Sequence, residues 1–66
     1  MWIISKEYGA FNTDNISAIR HPDVLSDEKF VLGYDGQCGH RITSGLDNYH
    51  KIINGLKNND YLVEVD

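Results

Sequence analysis

A thiol and an imidazole lie two residues apart near the middle of the chain, at Cys38 and His40. An imidazole can draw off a thiol proton, so such a pair can act as a nucleophile. It could also contribute to a zinc site, but zinc needs four ligands, commonly arranged as two pairs. A second pair would have to come from His21, His50 or a carboxylate, and no metal-binding motif supports this. We interpret Cys38 and His40 as an exposed loop thiol beside a surface histidine, and predict no metal ligand and no cofactor.

Two arginine–histidine pairs are the other residues whose types could bind a ligand: Arg20 with His21, and His40 with Arg41. If the strands that carry them are neighbours, the four side chains could form an anion-binding patch. Guanidinium groups make strong, charge-assisted hydrogen bonds to carboxylates and phosphates. The patch predicts an alternative function, the binding of a small anionic metabolite or nucleotide. The competing interpretation is that the four are scattered surface charges.

The sequence predicts no enzymatic activity and no catalytic residue. A chain of 66 residues has little room for a substrate cleft, an oxyanion hole and an orienting group together. The glycines at positions 33, 36, 39 and 45 fit neither a dinucleotide-binding nor a phosphate-binding loop, and are typical of turns and a helix entry.

The charge and hydropathy of the chain exclude several partners. Ten acidic and six basic residues give a net charge of −4, and no basic run compensates for it. Such a chain repels a phosphate backbone, so we expect no nucleic-acid partner. No segment approaches the roughly 20 apolar residues of a membrane span, and the opening residues lack a positive leader, so we expect no membrane partner and no signal peptide. The single cysteine allows no internal disulfide and suggests the cytoplasm.

The length predicts a single domain over residues 1–66. A domain of this size buries only about 60% of the surface that its unfolded chain exposes. Disulfides, metals or self-association usually add the missing stability. Because nothing supports the first two, we expect a homodimer, formed through the first strand, the last strand or an outer sheet face.

A hairpin over residues 30–44 would position His40 and Arg41. Apolar residues alternate along its first half, and we predict that Leu32 lies opposite Ile42 across a loop from Asp35 to Gly39, because register follows the buried face. This register buries Phe30, Leu32, Tyr34 and Ile42. It turns Val31, Arg41 and Thr43 outward. The alternative, a two-residue turn at Asp35 and Gly36, would leave the apolar face unmatched.

The first strand, Trp2 to Ile4, is apolar on both faces, so that Trp2 and Ile4 point one way and Ile3 the other. Such a strand is covered twice or meets a partner, which makes Trp2 and Ile4 candidate binding residues. Residues 10–12 could return as a second strand. Residues 15–20 form either a strand lined by Ile16 and Ala18, which we prefer, or a helix of under two turns that is capped by Asp14 and disfavoured at His21 by Pro22. A loop over residues 21–29 follows.

The last third of the chain predicts a helix and a final edge strand. The apolar stripe of the helix is Leu46, Tyr49, Ile52, Ile53 and Leu56. Ser44 would cap this helix, Asn48 would lie on its polar face, and Asn58 with Asn59 would end it. Residues 61–66 alternate, with Tyr61, Val63 and Val65 on one face. The predicted fold class is α+β: one small antiparallel sheet of four or five strands, with one C-terminal helix packed on one face.

The pattern over most of the chain resembles the tiny β-rich proteins of phages and prophages of Gram-positive bacteria. The features behind this resemblance are Trp2-Ile3-Ile4, the turn region at Phe11-Asn12 and Asn15-Ile16, and the closing helix with Tyr49, Ile52, Ile53 and Leu56. Such proteins often bind and block a host protein, including defence machinery. The resemblance carries over no functional residue. The first functional hypothesis is a non-enzymatic protein-interaction module, of the kind that a phage-type inhibitor would be.

Overall fold

The computed structural model describes residues 1–22 and 29–66. Its elements, in chain order, are β1 (Trp2–Ser5), β2 (Gly9–Asn12), a 3-10 turn (Thr13–Asn15), β3 (Ala18–Arg20), β4 (Phe30–Asp35), β5 (Cys38–Ser44), α1 (Leu46–Lys57) and β6 (Leu62–Val65). The predicted α+β class is confirmed. Most of the loop predicted over residues 21–29 lies outside the described residues.

The described strands form two three-stranded sheets. The prediction of a single antiparallel sheet of four or five strands is therefore only roughly right. Sheet A has the order β2-β1-β6 and sheet B the order β3-β4-β5. Within sheet A, β1 pairs antiparallel with β2 but parallel with β6. A parallel neighbour requires a long crossover, and here the intervening chain includes all of sheet B and α1. The last strand therefore completes the sheet that the first strand begins.

One hydrophobic core lies between the inner faces of the two sheets and the helix. Its most buried side chains are Ile3 and Val65 from sheet A, Val31 and Ile42 from sheet B, and Ile52 from α1. The helix packs against β6 and β5, so it bridges the two sheets on their inner sides. The outer faces of both sheets point away from this core.

The N-terminal half follows the predicted strands. Ile3 is fully buried and Trp2 is exposed, as the two-faced first strand requires, and β2 returns beside it. The strand interpretation of residues 15–20 is confirmed only for Ala18–Arg20, which form β3, whereas Asn15 belongs to the 3-10 turn. The turn before it is capped by Asn12, whose side-chain oxygen accepts a hydrogen bond of 3.0 Å from the backbone N–H of Asp14. Asp14 therefore starts no α-helix.

The hairpin keeps its predicted register only at its open end. Phe30 pairs with Ser44 as predicted, but a bulge then shifts the register, so that Leu32 faces Arg41 instead of Ile42. Pairing continues to the end of β4, and a tight turn follows, with Gly36 at a φ of 62°. Positive φ at the first turn position is the usual role of glycine in such hairpins. The prediction of a five-residue loop from Asp35 to Gly39 is therefore wrong.

The bulge also reverses the faces that the sequence predicts. Val31 and Thr43, predicted outward, are fully buried. Ile42 is buried as predicted, because the extra residue of a bulge lets consecutive side chains turn to one side. The other three predicted core residues lie half-buried on the outer face of sheet B, opposite to Val31: Phe30, Leu32 and Tyr34.

The helix forms over the predicted residues, but its start and its buried stripe differ. The N-cap is Gly45 at a φ of 93°, with no side-chain cap, so the prediction of a Ser44 cap is wrong. Leu46 and Leu56 are 37% and 39% exposed, because the buried stripe centres on Ile52. The helix ends as predicted, with Asn59 at a φ of 55°. Among the described residues no helix reaches the length and apolarity that crossing a membrane requires.

The final strand lies at an edge of sheet A, as predicted, with Val65 buried and Val63 packed against the core. Tyr61, predicted on the same face as Val63 and Val65, does not share their burial, since it precedes β6 and is 79% exposed. Leu62, next to it, points to the outer face and is 43% exposed. The outer edge of sheet A therefore presents large apolar side chains to solvent.

Candidate functional site

The outer face of sheet A carries a group of apolar side chains that we name the tryptophan face: Trp2, Ile4 and Leu62. Trp2 and Leu62 are directly paired across β1 and β6, so their side chains lie side by side. They are 38% and 43% exposed, and Ile4 is half-buried beside them. The structure thus turns outward both of the predicted binding residues of the first strand, and adds Leu62.

Trp2 also borders a cleft of about 290 Å³ that runs to His40 on sheet B. Phe11 and Ile16 contribute apolar lining to this cleft, and Asp35 contributes a carboxylate. Two of the predicted binding residues, Trp2 and His40, therefore line one cleft. The carboxylate of Asp35 makes this cleft a poor site for an anion, because like charges repel.

The outer face of sheet B carries a second group, which we name the arginine face: Arg20, Phe30, Leu32, Tyr34 and Arg41. Arg20 and Arg41 are both paired with Leu32, from opposite sides, so the three side chains form one row across the sheet. The guanidinium carbon of Arg41 lies 4.0 Å from the centre of the Phe30 ring. This is a cation–π geometry, which fixes the plane of the guanidinium.

The two histidines of the predicted anion patch do not join these arginines. His21 packs edge-on against Tyr49 of α1, with 4.7 Å between ring centres. Its Nδ1–H donates a hydrogen bond of 2.8 Å to the carbonyl oxygen of Pro22. His40 is paired with Gly33 and so points to the side opposite to Arg41. Of the four predicted residues, the structure brings together Arg20 and Arg41 alone.

Cys38 is exposed, as predicted, but it lies in β5, paired with Asp35, and not in a loop. His40 is also exposed and follows it by two residues on the same strand. Within residues 1–22 and 29–66, no group of three or more histidine, cysteine, aspartate or glutamate side chains could hold a metal ion.

A buried polar network, which the sequence did not predict, connects β5, α1 and Asp66. The Nδ2 of Asn48 donates to the Oγ1 of Thr43 at 3.1 Å and to the carbonyl oxygen of Ser44 at 2.9 Å. The hydroxyl of Thr43 donates in turn to the carbonyl oxygen of Asp66 at 2.7 Å. All of these groups are satisfied within the protein, so the network is structural. Its only signal in the sequence is a polar residue close to an apolar helix stripe.

Comparisons with profiles of known protein families, with curated proteins and with solved structures gave no match. The geometry of the two outer faces is therefore the basis of the functional proposal.

Proposed function

We propose that this chain is a non-enzymatic protein-interaction module. The observation that carries the proposal is that both sheets expose apolar outer faces, since the single described helix covers their inner sides. Phe30, Leu32 and Tyr34 are half-buried without packing against the described core, and Trp2 and Leu62 are more than one-third exposed. Tryptophan, tyrosine and arginine are the residue types that dominate binding energy at protein interfaces.

The tryptophan face is proposed as the surface of a homodimer. It lies beside β6, an edge strand, and such edges can pair with a second chain. Fully burying a large apolar side chain contributes roughly 1.5–3 kcal/mol, which matters to a domain with so small a core. Two-fold dimers are the commonest closed assembly, and they place the same patch of each copy against the other.

The partner of the module is proposed to be a bacterial host protein, a defence protein among the candidates, as the resemblance to phage-type inhibitors implies. The predicted cytoplasmic location would give access to it. This part of the proposal is tested by capture from a bacterial lysate on immobilised tagged protein, at low and at high salt.

The capture experiment uses variants of each outer face. We expect the wild-type protein to capture a stoichiometric partner. Its loss from Leu62→Lys would place the partner on the tryptophan face, and its loss from Leu32→Glu would place it on the arginine face. Leu56→Lys is the matched control, since Leu56 is 39% exposed on α1 and the same charge is added away from both faces. Recovery of no stoichiometric partner at either salt concentration would contradict the proposal.

A small anionic ligand is the second candidate, and the shared row of Arg20, Leu32 and Arg41 favours it. Isothermal titration with a panel of nucleotides tests this function. It predicts saturable binding that the double variant Arg20→Ala/Arg41→Ala abolishes. Unchanged binding in that variant would remove both arginines from the site.

A further inference from the structure

The net charge of the arginine face is positive, whereas the net charge of the chain is negative. The described residues that point outward from sheet B are, by their pairing, Ala18, Arg20, Phe30, Leu32, Tyr34, Gly39, Arg41 and Ser44. Two of them are cationic and none is a carboxylate, although the chain has a net charge of −4. Asp35, at the end of β4, is paired with Cys38 and points to the opposite side. A cationic patch attracts an anionic partner surface.

The spacing of the arginines fits two carboxylates that flank an apolar side chain. Arg20 and Arg41 lie one strand to each side of Leu32. Neighbouring strands are about 4.8 Å apart, so the two arginine backbones are separated by roughly 10 Å. Guanidinium groups bind carboxylates through two parallel hydrogen bonds. Leu32, between them, offers an apolar contact for a side chain that lies between the two carboxylates.

The stacking of Arg41 on Phe30 prepares this face for binding. At 4.0 Å from the ring centre, the guanidinium is held against an aromatic surface, while the residue itself is exposed. A stacked guanidinium keeps its N–H donors in the plane of the group, where a carboxylate can reach them, and loses less entropy on binding. Phe30 and Tyr34 extend the apolar surface on either side of Leu32.

We propose that the arginine face binds an acidic, apolar-rich segment of a partner protein, with carboxylates at Arg20 and Arg41 and an apolar side chain on Leu32. This inference deepens the proposed interaction function by naming the chemistry of the partner. A polypeptide is favoured over a nucleic acid because a phosphate backbone is bound by many cations. This face has two, in a chain with a net charge of −4.

The test is fluorescence polarisation with a short labelled peptide of alternating glutamate and leucine, and with a matched peptide of alternating glutamine and leucine. We expect the glutamate peptide to bind, and Arg20→Ala/Arg41→Ala to weaken it by about tenfold or more. The charge-matched control Lys6→Ala/Lys51→Ala, which removes two exposed lysines, should change the affinity by less than about twofold. Leu32→Glu should also abolish binding, because it places a competing carboxylate between the arginines. Thermal unfolding of each variant establishes that it is folded.

Several results would overturn the inference: no binding of the glutamate peptide, equal binding of the two peptides, or no effect of the arginine variant. Tighter binding of oligothymidine or a nucleotide, lost in the same variant, would assign the face to phosphate ligands instead. The lysate capture separates this inference from the function on which it rests. A partner that Arg20→Ala/Arg41→Ala retains and Leu62→Lys loses would leave the interaction function standing and overturn the acidic segment. Peptide binding without any partner from the lysate would leave the acidic-segment inference standing and contradict the proposed interaction with a bacterial protein.

Discussion

At the scale of single residues, Asn48 shows how a polar side chain near a helix start can be structural. Its position beside the apolar stripe predicts a solvent-facing residue, yet it is 7% exposed. The sequence could not reveal that Asn48 is buried, because its environment depends on Thr43 and on Asp66, which directly follows β6 of sheet A. Trp2 and Ile4 are the opposite case. Strand alternation predicts correctly that they share the face opposite to Ile3, but it leaves open which of the two faces is outward, and the structure decides this.

Replacing Asn48 with alanine should destabilise the protein. The change removes donors to Thr43 Oγ1 and to the Ser44 carbonyl, and leaving buried acceptors unpaired costs about 1–3 kcal/mol. Denaturant unfolding followed by circular dichroism measures this loss. Asn54→Ala is the control, since Asn54 is exposed on the same helix and its change should leave the midpoint unchanged or slightly raised. Equal midpoints for Asn48→Ala and the wild-type protein would contradict the structural role of the network.

At the scale of elements, the sequence predicts which segments form strands and the helix better than which side of each is buried. The period of two in β4 is real, but it is apolar or small on both sides, so it cannot choose between Val31 and Leu32. The bulge in β5 decides which face of β4 is buried. This bulge depends on the packing of Ile42 into the space that Gly33 leaves open. Gly55 is a second glycine that allows close packing, because it lies against Val63 of β6 and against Met1.

Replacing Gly55 with alanine should lower stability although alanine favours helices. A methyl group at this position would overlap the side chain of Val63 and lie 3.0 Å from the sulfur of Met1. Overpacking costs about 1–3 kcal/mol, against about 1 kcal/mol gained in helix propensity, so we expect a net loss of up to about 2 kcal/mol. Thermal unfolding measures the change, with Lys51→Ala on the exposed side of α1 as control. A raised melting temperature for Gly55→Ala would contradict the close packing of α1 on β6.

At the scale of the whole molecule, the described residues form two sheets of three strands each, where the sequence predicts one sheet of four or five strands. Strands of three to seven residues leave each sheet small, and the parallel return of β6 beside β1 is a long-range pairing that local patterns do not encode. The same division explains the candidate site. Arg20 and Arg41 lie on one face of sheet B, whereas His21 packs against α1 and His40 lines the cleft that Trp2 borders. Among residues 1–22 and 29–66, the outer face of each sheet carries exposed or half-buried apolar side chains.

The claim that these outer faces are protein interfaces is tested most directly by equilibrium sedimentation at micromolar concentration. We expect the wild-type chain to sediment at twice its mass of 7.5 kDa. Leu62→Lys should sediment as a monomer, because a lysine on an edge strand opposes pairing and breaks the tryptophan face. Leu56→Lys, with the same change of charge at a side chain of similar exposure, should remain a dimer. A wild-type mass of 7.5 kDa, unchanged in both variants, would contradict the proposed interface.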